Sequence, residues 1–252
     1  MLDFGYDESG EGNILLVSCQ VGKVRRLRRF SRKWRDVLKN ANVEYFHAKD
    51  YDNLTHGPFK GLSRKQRFKL VGKLAALIRD FMDAGFTARI DRKVYTAETT
   101  ADQRSRYGSA YCYAVQATVM AAHLFMETKD KEDGANILIE NGHRNVGDVI
   151  DKLNGLKRED QYLRVYIKSC GGGWKKDHPI LQAADMLAYS EWQRINQTGR
   201  DMFDALNVDG SPYQPLLFDC DAKLLRATRK GITAFRAHKK AIWESGSNRG
   251  KL

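Results

Sequence analysis

Residues 2–21 read LDFGYDESGEGNILLVSCQV, and this stretch sets the fold class. Leu2–Asp7 alternates loosely between apolar and polar residues, Glu8–Asn13 gathers Ser, Gly and Asn, and Ile14–Val21 is apolar and rich in strand formers. The pattern predicts two adjacent strands joined by a short turn. Downstream, apolar runs of strand length alternate with segments of helical period. Two strands followed by alternating strands and helices predict an α/β protein, with a mixed sheet flanked by helices and a basic C-terminal helical extension.

Outward from the hairpin, residues 23–39 (KVRRLRRFSRKWRDVLK) place Val24, Leu27, Phe30, Trp34 and Leu38 at helical spacing. A short strand is expected at Val43–His47 and a loop at Asp50–Lys60. A helix is expected from Ser63, with Phe68, Val71, Leu74, Ala75, Ile78 and Phe81 on one face and Gly85 as its stop. Further expectations are a strand at Phe86–Ile90, a polar connection over Asp91–Asp102, a largely buried helix over Tyr107–Met126 and a charged turn at Lys129–Gly134. Ala135–Glu140 (ANILIE) reads as an interior strand, Val146–Leu153 as a short helix and Leu163–Ser169 as a strand. A late helix opens at Pro179, where a missing N–H costs nothing. Past Thr198 the composition turns loop-rich, and the basic end is expected to be helical from about Asp221. The division is therefore a domain over 1–198 and an extension over 199–252.

The 252 residues carry a formal charge of +12, but unevenly. Residues 23–39 hold nine Lys/Arg against one acid, residues 221–252 nine against two, and the remaining 203 residues sum to −3. Arginine outnumbers lysine six to three in the first segment, and its planar fork suits bidentate phosphate contact. Arg25, Arg28, Arg29 and Arg32 are thus expected to meet nucleic acid, with Lys175 and Lys176 of GGGWKK as further phosphate contacts. There is no run of 18 apolar residues to span a membrane, and the N-terminal stretch has acids where a secretory leader needs bases. Cys19, Cys112, Cys170 and Cys220 form no C-x-x-C pair, so a cytoplasmic protein is expected. The sequence leaves oligomeric state open.

Three acids sit in costly settings. Asp7 ends the first strand, Glu140 ends ANILIE, and Asp185 lies on the apolar stripe of the late helix between Leu181 and Ala188. A buried carboxylate must be paired, and converging acids need a cation between them. Oxygen-only donors select Mg2+ or Mn2+, and two such ions are common machinery for attack of water on a phosphodiester. If Asp185 instead pairs with Arg or Lys, that reading loses its main support.

The segments YDESGEG (Tyr6–Gly12), FHAKD (Phe46–Asp50) and HPILQAADMLAY (His178–Tyr189) resemble the bacterial and phage family catalogued as domain of unknown function 3800, over about residues 4–198. That resemblance implies a ribonuclease-H-like fold, with Asp7, Glu140 and Asp185 as metal ligands. That superfamily's additional helix Glu has no matching residue here, and Glu8 and Asp50 are the candidates to substitute for it. The strand-end acid departs from the usual Asp, and the order of elements does not map cleanly onto the five-strand core. Secondary positions are His47 with Asp50 as base or outer ligand, His143 near Glu140, and Asp177 as cap of the late helix. Tyr107, Tyr111 and Tyr113 read as core. No G-x-S-x-G elbow or dinucleotide fingerprint is present.

The expected function is therefore a metal-dependent nuclease or related phosphoryl-transfer enzyme, with Asp7, Glu8, His47, Glu140 and Asp185 as its catalytic set. The alternative is a non-catalytic nucleic-acid-binding or defence-associated interaction protein that keeps the fold. A third reading has the basic segments dock a protein partner.

Overall fold

The hairpin forms, but its first strand runs on past Asp7 through Ser9, because Glu8 and Ser9 pair with Val17 and Leu16 and so leave the expected turn. In the computed structural model, β1 (Leu2–Ser9) and β2 (Ile14–Lys23) pair antiparallel, with Asp7 opposite Ser18. The structure describes residues 1–53, 56–127, 134–159, 161–198, 201–213 and 215–228. The order continues α1 (Val24–Asn40), α2 (Arg64–Phe81), β3 (Ala84–Asp91), α3 (Arg92–Glu98), α4 (Ala101–Tyr107), α5 (Ala110–Glu127) and β4 (Ala135–Glu140). It closes with α6 (Val146–Glu159), α7 (Gln161–Tyr166), β5 (Ile167–Gly173), α8 (Pro179–Asn196), α9 (Asp201–Leu206), β6 (Leu216–Asp219) and α10 (Ala222–Thr228). The strands form one mixed sheet, β5-β4-β1-β2-β3-β6, in which β1, β4 and β5 run parallel and β2 is antiparallel to both its neighbours.

Period-two alternation sends Leu2, Phe4 and Tyr6 of β1 to one face, where they join a core shared with α3, α5, α6, α7 and α10. The opposite face carries Gly5 and Asp7 and packs on α8, behind which α1, α2 and α9 build a second core. Gly5 sets that spacing: a Cβ there would lie 2.8 Å from the Ile180 side chain and 2.9 Å from its carbonyl oxygen. Only a glycine lets α8 lie this close to the strand that carries Asp7. Polar groups on this face are paired. Ser18 bonds Thr87 at 2.7 Å, and Gln20 donates to the Ala183 carbonyl and accepts from the Tyr213 hydroxyl.

Several local expectations need correction. Residues 43–47 form no strand, because the Phe46 N–H is taken by a side chain of α8 rather than by a neighbouring strand. Helix α2 ends at Phe81, since Met82 turns extended to enter β3, and Gly85 lies inside that strand. Phe68 is 57% exposed, off the buried stripe. The polar connection 91–102 holds α3 and the start of α4, each begun by a side-chain cap from Asp91 and Thr100. The buried helix begins at Ala110, because Gly108 with φ +81° breaks it from Tyr107. Residues 163–166 are helical, so β5 runs from Ile167 through the three glycines. Asp177 does not cap α8; His178 occupies that position without a side-chain bond. Most of the 129–134 turn, and residues 229–252 of the basic extension, lie outside the described residues. The described part of the extension adds β6 to the sheet edge, parallel to β3.

Candidate active site

Parallel pairing decides where the acids go. Tyr6 lies opposite Ile139, and Glu140 opposite Gly173. Asp7–Glu8, just past the end of the β1–β4 pairing, therefore lie at the same carboxyl edge as Glu140 and Trp174–Lys176, where ligands of open α/β sheets usually sit. There they line a cavity of about 960 Å3, together with Asp185 and His47.

Lys175 sits at the centre of the cluster. Its ammonium lies 2.7 Å from Asp7 Oδ2 and 3.2 Å from Asp185 Oδ1. The second Asp185 oxygen accepts the Ala48 N–H at 2.7 Å, and Asp7 Oδ1 accepts the Glu8 N–H at 2.8 Å. One turn before Asp185, the Gln182 amide oxygen accepts from Phe46 N–H (2.9 Å) and Trp34 Nε1–H (2.7 Å), while its NH2 donates to the Lys175 carbonyl (2.9 Å). The Gln182-x-x-Asp185 face of α8 thus clamps Phe46–Ala48 and the loop that delivers Lys175. His47 Nδ1 meets Asp50 Oδ2 at 2.9 Å, which fixes the ring at the cavity wall. Glu140 accepts the Gly142 N–H. His143 stacks on Tyr111, with centroids 3.8 Å apart.

Burial, then the Asp185 charge, push the Asp7 carboxyl well above the ordinary range, and Lys175 only partly offsets them. Burial and Glu140 push Glu8 up to about 7, while Lys175 and Tyr111 work the other way. Burial opposes the Lys175 charge, but Asp185 and Asp7 outweigh it and hold the ammonium above an ordinary lysine. Burial, Arg144 and Arg92 lower His143, which favours its neutral form.

Asp7, Glu8, His47, Glu140, Lys175, Lys176 and Asp185 thus share one cavity. The position expected for a cation between Asp7 and Asp185 is held by Lys175, which departs from its expected role as a phosphate contact; Asp185 does pair with a lysine, so the metal reading loses the support it was to draw from that helix acid. Among the described residues, no group of three His, Cys, Asp or Glu side chains stands ready to hold a metal. In chemistry the donor set is of the oxygen-only kind that a hard cation takes: the Asp7, Glu8, Glu140 and Asp185 carboxyls line the cavity, two of them on the Lys175 ammonium. Asp50 reaches the site only through His47. Arg25, Arg28, Arg29 and Arg32 lie exposed on α1, outside the cavity wall.

The sequence reading missed Gln182 as a clamp, Lys175 as the internal counter-ion and Tyr111 beside Glu8. It also missed the aromatic wall of Tyr45, Trp174, Tyr189 and Trp192. A Trp-Lys-Lys run directly after a strand end was the available signal for part of that wall. The chain matches no family model and no curated protein at significant similarity. No helix among the described residues is long and apolar enough to cross a membrane.

Proposed function

We propose that this chain is a metal-dependent nuclease or related phosphoryl-transfer enzyme with a ribonuclease-H-like core. One observation carries the reading. Carboxylates from three elements, Asp7 and Glu8 of β1, Glu140 of β4 and Asp185 of α8, line one cavity, where the Lys175 ammonium bridges Asp7 and Asp185. The mixed sheet with β1 between parallel β4 and antiparallel β2 is consistent with that fold. FHAKD and Gln182-x-x-Asp185, two of the segments that carry the resemblance to the domain of unknown function 3800 family, meet at the cavity.

In this reading Asp7, Glu140 and Asp185 would hold Mg2+ or Mn2+, which supplies charge to activate water and to stabilise the leaving oxygen. The chain's own groups do the rest. Lys175, displaced from between Asp7 and Asp185, offers its ammonium to a phosphate oxygen. His47, held by Asp50, orients a donor or acceptor at the wall, and the exposed arginines of α1 grip the nucleic-acid backbone.

The test is cleavage of labelled single-stranded and duplex DNA, RNA and hybrid with Mg2+ or Mn2+, by wild type and Asp185→Asn. The variant's amide oxygen still accepts the Ala48 N–H, so the fold should persist by circular dichroism while cleavage falls at least about 100-fold, the scale of losing a catalytic electrostatic contact. Full activity in Asp185→Asn refutes the assignment. Salt-sensitive binding without metal-dependent turnover supports the second reading, a non-catalytic nucleic-acid-binding protein, which the Lys175 bridge across Asp7 and Asp185 favours.

A further inference from the structure

Beside its acids, the cavity has an aromatic wall made by Tyr45, Trp174, Tyr189 and Trp192. Trp174 is 55% exposed. Tyr189 and Trp192 stack with centroids 5.4 Å apart and planes 20° apart, and the Tyr189 hydroxyl is anchored on Asp52 at 2.9 Å. Exposed cations rim the same opening: Lys49, Arg92 and Lys176. Next to Lys176, the Asp177 carbonyl accepts from Arg35 at 3.1 Å, so the C-terminal half of α1 abuts the cavity mouth. Arg32 and Arg28 lie about one and two turns back along the same exposed face.

A duplex keeps its bases stacked inside and offers phosphates outside, so an aromatic wall at a cationic mouth finds no partner in it. An unpaired strand offers both a charged backbone and free base faces, the combination that stacking platforms with basic grooves recognise. We propose that the cavity receives a single-stranded polynucleotide. Its bases stack on Trp174 and on the Tyr189–Trp192 pair, and its phosphates track from Lys176 along Arg35, Arg32 and Arg28. This deepens the nuclease reading by naming its substrate form, and rests on that reading for the choice of a polynucleotide.

The test is equilibrium binding of the full chain in EDTA, so that no turnover intervenes. Fluorescence anisotropy would follow labelled single strands of DNA and of RNA, about 12 nucleotides long to match the reach of such grooves, and a duplex of equal length. A single strand of either sugar should bind at least about 10-fold tighter than duplex. Trp174→Ala should weaken single-strand binding by about 5- to 150-fold, the range for one base–aromatic stack, and duplex binding by less than about 2-fold. Trp174→Phe should recover most of the loss. Equal or tighter duplex binding, no loss in Trp174→Ala, or an equal loss on both ligands overturns the proposal. Single-strand preference in a protein that cleaves nothing upholds it and removes the hydrolase reading. Metal-dependent cleavage confined to duplex does the reverse.

Discussion

In a Lys175→Met variant, Asp7 and Asp185 face each other without the one cation they share. Both carboxyls are buried, and removing one partner of a buried ion pair costs about 3–5 kcal/mol. At about 2–4 °C per kcal/mol for a chain of this size, the melting temperature should fall by roughly 6–20 °C in EDTA near pH 8. The deficit should shrink towards pH 5. Asp7 already holds its proton above the ordinary range, and loss of the ammonium moves it further that way, so acid relieves the repulsion. Mn2+ gives the decisive contrast. A cation bound at about 100 times its Kd adds about 2.7 kcal/mol, so saturating Mn2+ should restore half or more of the loss. Wild type must expel Lys175 to admit the ion and should respond less. Thermal unfolding by circular dichroism in EDTA, Mg2+ and Mn2+, with calorimetric titration of each protein, measures both effects. An equal deficit with and without Mn2+, unchanged between pH 8 and pH 5, refutes the claim that these carboxylates form a latent cation site.

Two further outcomes follow from the same cluster. Gln182→Leu strands the Trp34 indole N–H, the Phe46 N–H and the Lys175 carbonyl. At about 1–3 kcal/mol for each group left unpaired, the three together should cost about 3–9 kcal/mol, whereas Gln182→Glu keeps both acceptor bonds and should lose less; urea unfolding measures the difference. In EDTA, wild-type stability should fall as pH rises from about 4.5 to about 7, because folded Glu8 holds its proton until about 7 and the unfolded chain releases it near 4.5. That interval corresponds to at most about 3 kcal/mol, and a Glu8→Gln protein should show a flatter profile in denaturant titrations across pH.

The legible parts of the fold were those with local causes. Leu2, Phe4 and Tyr6 alternate into one core, and Leu27, Phe30, Trp34 and Leu38 repeat at helical spacing into the other, so β1 and α1 were predictable from their own residues. Glu140 was legible as a strand-end acid, and Asp7, though β1 runs two residues beyond it, is brought to the same edge by parallel pairing. The expectation failed where a distant partner decides the outcome. Residues 43–47 have strand composition, yet Gln182 and Asp185, more than a hundred residues later, take the N–H groups of Phe46 and Ala48. Lys175 has the local signature of a solvent lysine after a turn, and only the arrival of β5 beside β4 aims it between two acids. Helices α3 and α4 were hidden because they are short and polar, and their capping bonds come from residues that read equally well as loop.

A site this acidic poses a problem for any phosphate ligand. With an effective dielectric near 20, one uncompensated carboxylate about 6 Å from a phosphate repels it by about 3 kcal/mol. Lys175 is one ammonium against the carboxyls of Asp7, Glu8, Glu140 and Asp185, and the raised pKa values of Asp7 and Glu8 lessen that acidity without removing it. The geometry separates the two tasks this creates. Lys49, Arg92 and Lys176 stand at the opening, and the exposed arginines of α1 stand beyond it, so attraction acts before the ligand meets the acids. Neutralising the floor is then left to a divalent cation, and the two contributions should be experimentally separable. Salt should weaken affinity through the rim, with a slope set by the number of phosphates engaged, while a divalent ion should change what happens at the floor without altering that slope. A protein whose salt slope and metal response moved together under substitution of Lys49 or Lys176 would contradict this division, because it would place the rim cations inside the site rather than at its approach.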